Sequence, residues 1–206
     1  MKSNVQLKEL LRNTRFSSKI KRFYQKNEDK ILDIVLFGSA VKGKERPGDI
    51  DILVVYKLKK EDLETSQALG AVLKKEGFNV SITSKTYGAL FDASFLAREA
   101  YLSEAYSFVT GKFVAEGLGY GSFVLFRYEL KGMSKSDRMR FYYSIYGRQK
   151  EGGVLRQLGA RKFSGTIISV PTQNSEQARE FFEHWKISCV EIPVLIPLRI
   201  ITSRQL

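Results

Sequence analysis

Leu36-Phe37-Gly38-Ser39 and, after a short loop, Asp49-Ile50-Asp51-Ile52-Leu53-Val54-Val55 decide the reading of this chain. A Gly-Ser turn ends the apolar run Ile31 to Phe37, and two carboxylates separated by one apolar residue open the next extended run. Successive side chains alternate across a strand, so Asp49 and Asp51 face the same side of the sheet. Paired carboxylates suit Mg²⁺ (or Mn²⁺), a hard cation that takes one or two protein carboxylates and completes its shell with phosphate oxygens and water. Gly38 lets the backbone approach a ligand closely, and the N–H groups and Ser39 hydroxyl of that turn suit the β and γ phosphates of a nucleoside triphosphate. Lys42 and Lys44 stand within reach of the same phosphates. The plainer reading is that the two aspartates merely start a strand after the Pro47-Gly48 turn. Against it, Ile52 to Val55 is apolar enough to be buried, and two like charges at its mouth cost stability unless a cation offsets them.

A Leu-Phe-Gly-Ser turn followed by Asp-x-Asp on the next strand resembles the DNA polymerase β-like nucleotidyltransferase superfamily, in particular its minimal members. The resemblance covers roughly residues 31 to 115. It implies a mixed sheet flanked by helices, a metal site at Asp49 and Asp51 that also makes them the catalytic pair, and a triphosphate held by Gly38, Ser39, Lys42 and Lys44. It also implies attack of a hydroxyl or phosphate on the α-phosphorus with release of pyrophosphate. A third carboxylate on a following strand completes the site in this superfamily and serves as base. Here that strand is Phe78 to Thr83, whose alternating polar residues are Asn79, Ser81 and Thr83. Ser81 stands where an aspartate is expected, and a neutral hydroxyl is no general base near pH 7. Glu76 and Asp92 stand just outside the strand as alternative carboxylates. Gly48 replaces the Ser that often precedes the first aspartate, a mild departure.

Composition points to a polyanionic partner. The 206 residues contain 34 Lys plus Arg against 22 Asp plus Glu, a net charge of +12, and such a field draws nucleic acid. The excess is concentrated in two places. Residues 2 to 30 hold nine basic and three acidic side chains. There Leu7, Leu10, Leu11, Phe16, Ile20 and Phe23 recur at helical intervals, so residues 1–30 are expected to form a basic helical arm packed on the core. From Arg127 to Lys162 there are ten basic residues and three acidic ones, interleaved with Tyr128, Phe141, Tyr142, Tyr143 and Tyr146. Arg138, Arg140, Arg148, Lys150, Arg156, Arg161 and Lys162 are the candidate nucleic-acid contacts, with the loop Gly147 to Gly153 offering backbone N–H groups beside its cations. The tyrosines suit base stacking, although on a helix most of them are expected in the core.

Three segments follow: the arm 1–30, a nucleotidyltransferase-like domain 31–118, and a basic α/β domain 119–206 bounded by Gly117, Gly119 and Gly121. The expected fold class is α+β, a mixed sheet flanked by helices plus a small C-terminal α/β domain. Lys60 to Glu76 reads as a crossover helix, Phe91 to Val114 as a long helix, and Ser134 to Tyr146 as a helix capped by Ser134 and stopped by Gly147. Phe163 to Val170 and Cys189 to Leu195 read as strands around a helix from Asn174 to Trp185, Pro193 and Pro197 marking an edge strand. The single Cys189 excludes an internal disulfide and a cysteine-based zinc site, and lone His184 beside Trp185 reads as structural. No apolar run is long enough to span a bilayer and no signal peptide is evident, so the expected location is the cytoplasm with no membrane partner.

Two functions fit these residues: a metal-dependent nucleotidyltransferase acting on RNA, or the same fold kept as an RNA- or ribosome-binding factor after catalysis was lost. Protein modification, or a role in a toxin–antitoxin pair, is a weaker third, disfavoured by the basic C-terminal domain.

Overall fold

Ile31–Phe37, seven residues of which all but Asp33 are apolar, forms strand β1. The structure, a computed structural model, describes residues 10–11, 13–42, 49–58, 60–148 and 151–202; Lys44, Gly48 and Lys150, singled out above, lie outside the described residues. The chain divides into two units, one spanning residues 4–118 and the other formed chiefly by residues 119–206.

In the first unit β1 is preceded by helix α1 (Thr14–Lys26) and followed by the short helix α2 (Ser39–Lys42). Next come β2 (Ile50–Tyr56), helix α3 (Leu63–Lys75) and β3 (Val80–Thr86). Beyond β3 lie α4 (Arg98–Glu104), the two-residue strand β4 (Tyr106–Ser107) and α5 (Val114–Gly117). The sheet order is β3-β2-β1-β4. β1 pairs antiparallel with β2 and β4, whereas β2 and β3 run parallel, as the α3 crossover requires.

Alternation splits these strands between two cores. Ile34, Leu36, Ile52 and Val54 pack with Phe16 and Ile20 of α1 and Leu69 and Leu73 of α3. Val35, Leu53 and Val55 pack on the other face with Leu90, Phe95 and Ala105. Burial of such side chains stabilises by about 1.5–3 kcal/mol each. α1 therefore belongs to the core of this unit, its buried stripe being Phe16 and Ile20, while Arg15, Lys21, Arg22 and Lys26 are exposed. Asp62 caps α3 by accepting the Thr65 N–H at 3.0 Å. That bond, the Thr65 hydroxyl and Lys30 hold the Asp62 carboxyl down at about 2.

The long helix expected over Phe91 to Val114 does not form. Ala105 is extended (φ −68°, ψ 136°), and Tyr106 and Ser107 pair with Leu36 and Val35 to widen the sheet. The backbone N–H groups of this stretch are satisfied by the sheet edge, so apolar residues spaced as on a helix face are buried as strand and turn residues instead. Leu96, expected on the apolar face, is 89% exposed.

In the second unit β5 (Tyr120–Tyr128) leads to helix α6 (Lys135–Tyr146). The small hairpin β6 (Gly147–Arg148) and β7 (Glu151–Gly152) and the short helix α7 (Val154–Gln157) follow. β8 (Arg161–Ser164), β9 (Ile167–Pro171), helix α8 (Ser175–His184), β10 (Cys189–Pro197) and α9 (Leu198–Thr202) complete it. α6 starts at Ser134, whose Oγ accepts the Asp137 N–H at 3.1 Å, and stops at Gly147 with φ 87°. The strand expected over Phe163 to Val170 is instead a hairpin, because Gly165 (φ 29°) turns the chain between β8 and β9. The sheet order is β10-β5-β9-β8, so β10, which contains Pro193 and Pro197, is an edge strand. α6, α7 and α8 pack on one face, over Val124, Phe126, Tyr128, Ile168 and Val170. The whole is a mixed α+β protein.

Candidate functional site

Asp51 stands opposite Phe37 in the β1–β2 pairing, one residue before the Gly38 turn. Its side chain is on the face of Val35 and Leu53, and by alternation Asp49, an exposed residue at the mouth of β2, points to the same side. Gly38 has φ +78°, and a Cβ added there would lie 2.5 Å from Asp51 Oδ2. Only glycine adopts that backbone cheaply and leaves the Asp51 carboxylate its space. Burial, and then the negative charge of Asp49, push the Asp51 carboxyl above the usual aspartate range.

The structure thus brings Gly38, Ser39, Asp49 and Asp51 to one end of the sheet. Lys42 is also there, but its Nζ lies 2.9 Å from Glu104 Oε1, and the Glu104 side chain is 11% exposed. The lysine expected to meet a triphosphate is engaged by a nearly buried carboxylate that sequence reasoning missed. Glu104 is 62 positions away and carries no local signal.

Ser81 is the residue paired with Asp51 in the parallel β2–β3 register, so the strand position beside Asp51 carries a hydroxyl. Glu76 lies 2.5 Å from Lys19 and is held by it below the usual glutamate range. Asp92 follows the opposite end of β3 and accepts the Ser94 N–H at 2.8 Å. Neither shares the site, and among the described residues no three His, Cys, Asp or Glu side chains group to hold a metal. Two carboxylates on one side of a strand end fit a divalent cation that shares its remaining shell with phosphate oxygens and water, and do not fit an all-protein cage.

A second partly buried carboxylate, Asp33, is on the same sheet face as Asp51, at the far end of β1 opposite Val55. Its Oδ1 accepts the Ile34 N–H at 2.7 Å and the Ser107 hydroxyl at 2.9 Å. Burial nevertheless raises its carboxyl to about 6. A raised folded-state pKa favours the protonated form, so this stabilisation is complete below pH 4 and is lost as pH rises through about 6. Asp33→Asn should leave stability unchanged at pH 4 and add about 2 kcal/mol at pH 7.5, after a discount for residual hydration. Urea unfolding at the two pH values measures it, and an equal effect at both would show that the Asp33 charge is not what matters.

The basic candidates of the second unit separate. Arg148 lies with its guanidinium 4.0 Å from the Tyr143 ring centre, and Lys162 Nζ 5.7 Å from that of Tyr146, both on the helix-bearing side. Arg138 is exposed there too, and Arg140 pairs with Asp137 at 3.4 Å. Arg156 packs against Gly152. Arg161 stands opposite Ser169 and so belongs to the other face of the sheet. Tyr142 and Tyr143 are exposed, whereas Tyr146 hydrogen-bonds the Tyr128 hydroxyl at 3.0 Å over the core.

A family model described as polymerase β nucleotidyltransferase matches residues 18–91. A search of curated proteins gives no match. A crystal structure of the toxin–antitoxin MntA-HpeT, in a mutant form, is similar at 20% identity with a TM-score of 0.33, over 45% of this chain and 71% of that one. Among the described residues, no helix is long and apolar enough to cross a membrane. The matched segment runs from α1 through the Gly38 turn, the Asp49/Asp51 strand and β3, so that over this part of the first unit the chain is similar to the polymerase β nucleotidyltransferases.

Proposed function

We propose that the first unit binds a nucleoside triphosphate with Mg²⁺ or Mn²⁺ at Asp49 and Asp51, and that RNA is the partner of the basic second unit. The observation that carries the nucleotide site is the Gly38 turn, shaped with no Cβ against a carboxylate whose proton affinity is already raised by burial and by Asp49. A divalent cation held there neutralises charge on the triphosphate and orients its phosphates. Asp49 and Asp51 supply its carboxylate oxygens, and Gly38 and Ser39 receive the phosphates. Lys42 reaches them by leaving Glu104, and Lys44, two residues further along the sequence, is a second candidate cation for them. With these groups in place, transfer of a nucleoside monophosphate to an RNA hydroxyl or phosphate is the reaction the family suggests.

The Ser81 position favours a second reading, in which the fold binds nucleotide and RNA without transfer, as a regulatory or ribosome-associated factor. With Ser81 beside Asp51, no third carboxylate among the described residues stands there to take the proton of an attacking hydroxyl. The test incubates the purified protein with labelled nucleoside triphosphates, Mg²⁺ or Mn²⁺ and total RNA, alongside Asp49→Ala and Asp51→Ala. Label transferred by the wild type and lost in both variants establishes the enzyme. No transfer, with salt-sensitive RNA binding that both variants retain, establishes the binding factor. Label appearing on a protein rather than on RNA sinks both, and points to a protein-modifying or toxin–antitoxin role.

A further inference from the structure

We infer that the helix-free face of the second unit's sheet is a binding surface for single-stranded RNA, with one unstacked base seated in a cavity at Phe123 and Phe163. The inference rests on RNA being the partner proposed above, and it places the contact away from most of the basic residues that the sequence singles out.

Strand alternation defines the face. β5 presents Phe123, Leu125 and Arg127, β9 presents Ile167, Ser169 and Pro171, and β10 presents Val190, Ile192, Val194 and Ile196. Val190 and Ile192 are 47% and 43% exposed, so this apolar surface is open to solvent. At one end α9 leans on it, since a Cβ at Gly121 would lie 2.6 Å from Ile201 Cδ1. Between that helix and β8 is a cavity of about 210 Å³ whose lining includes Phe123, Arg161, Phe163, Ser169, Ile196 and Ile201. That is smaller than the ~300–1,000 Å³ of a typical small-molecule cleft, and suits one flat ring with the rest of its chain outside.

Charge selects the occupant. Arg127 and Arg161 are the ionisable residues of this face within the paired strands; no Asp or Glu stands on it there. Arg127 is exposed and has no ion-pair partner among the described residues. Phe163, at the β-bulge of β8, is 45% exposed beside Arg161. Aromatic rings that stack on unpaired bases, with arginines that track the phosphates, are what single strands require; a duplex hides its base faces. A protein partner for an apolar sheet of this kind needs no such purely cationic border.

The test is fluorescence anisotropy of the full chain with a labelled single-stranded 12-mer RNA, and with the same strand annealed to its complement. The expected result is single-strand binding at least tenfold tighter than duplex binding. Phe163→Ala should weaken it about tenfold at unchanged salt slope while Phe163→Tyr retains it, and Arg127→Ala should lower the salt slope by about one. Arg138→Ala and Arg140→Ala, on the helix side, should change it less than threefold. Duplex binding equal to single-strand binding, or loss confined to the helix-side variants, overturns this inference and leaves RNA as the partner. Absence of binding to either RNA overturns the partner itself. Self-association of the wild type that Ile192→Lys abolishes would make the face an interface between copies and also overturns it.

Discussion

Asp51→Asn is expected to weaken Mg²⁺-dependent triphosphate binding by on the order of 1,000-fold, ~4 kcal/mol, while raising the thermal stability of the ligand-free protein. Both effects come from one charge. Among the described residues Asp51 is one of the two carboxylates at this strand end, and its replacement by a neutral amide removes half of the carboxylate charge they offer a divalent ion, which accepts few protein ligands. In the ligand-free state the same charge is unfavourable, because burial and Asp49 both raise the Asp51 carboxyl. A group with a raised folded-state pKa contributes its stabilisation below the unfolded value and loses it as pH rises through the folded value, so at pH 7.5 the wild type lacks it. The amide stays neutral and removes that cost. Calorimetric titration with MgATP and thermal melts at pH 4 and 7.5 measure the two effects. Unchanged nucleotide affinity would place the site elsewhere, and a lower melting temperature at pH 7.5 would mean that the carboxylate is held by partners rather than opposed by Asp49.

Much of this site was legible because its signals are local. A glycine before a short helix, and two aspartates alternating with apolar residues, set φ, strand face and charge within fifteen residues. The parallel pairing of β2 and β3 was legible because Lys60 to Glu76 has the length and stop of a crossover, while the place of Ser81 beside Asp51 was legible only through the family resemblance. The Lys42–Glu104 pair was not legible, since it depends on β4 returning to pair with β1. Nor was the break-up of Phe91 to Val114. Ala105 and Phe108 are buried in either conformation, and periodicity over so few apolar residues does not separate a helix face from a strand and turn.

The basic stretch illustrates the same limit from the other side. Arg161 and Lys162 are neighbours in sequence and were grouped as one patch, yet adjacent strand residues face opposite ways. Lys162 reaches Tyr146 over the helices, and Arg161 joins Arg127 on the open face. Had Arg161–Ser164 been read as a strand, alternation alone would have divided the patch. A strand read only from Phe163 onward leaves Arg161 and Lys162 outside it and so undivided.

Ser81→Asp should convert a two-carboxylate site into a three-carboxylate one, tightening divalent-cation binding by about 100-fold and lowering stability in the cation's absence. Neighbouring strands are about 4.8 Å apart and paired residues share a face, so the new carboxylate comes to lie beside Asp51. Three acidic groups at one strand end repel, and at neutral pH the apo protein loses the stability that a hydroxyl there does not cost. Added Mg²⁺ or Mn²⁺ reverses the sign, because the cation binds the folded site and not the unfolded chain. The melting temperature of the variant should therefore lie below the wild type's in chelator and above it in millimolar Mg²⁺, a crossing that a purely structural defect does not produce. Thr83→Asp is the control. Thr83 faces the same way but pairs with Leu53, one pleat repeat further along β3, so its carboxylate is nearly 7 Å from the position beside Asp51 and should bring no crossing. If Ser81→Asp crosses and also transfers label from a nucleoside triphosphate where the wild type does not, the missing base at Ser81 is what silences the chemistry. If the wild type already transfers, the proton of the attacking group is taken without a third carboxylate, and the variant's added charge beside Asp51 should change cation affinity more than rate.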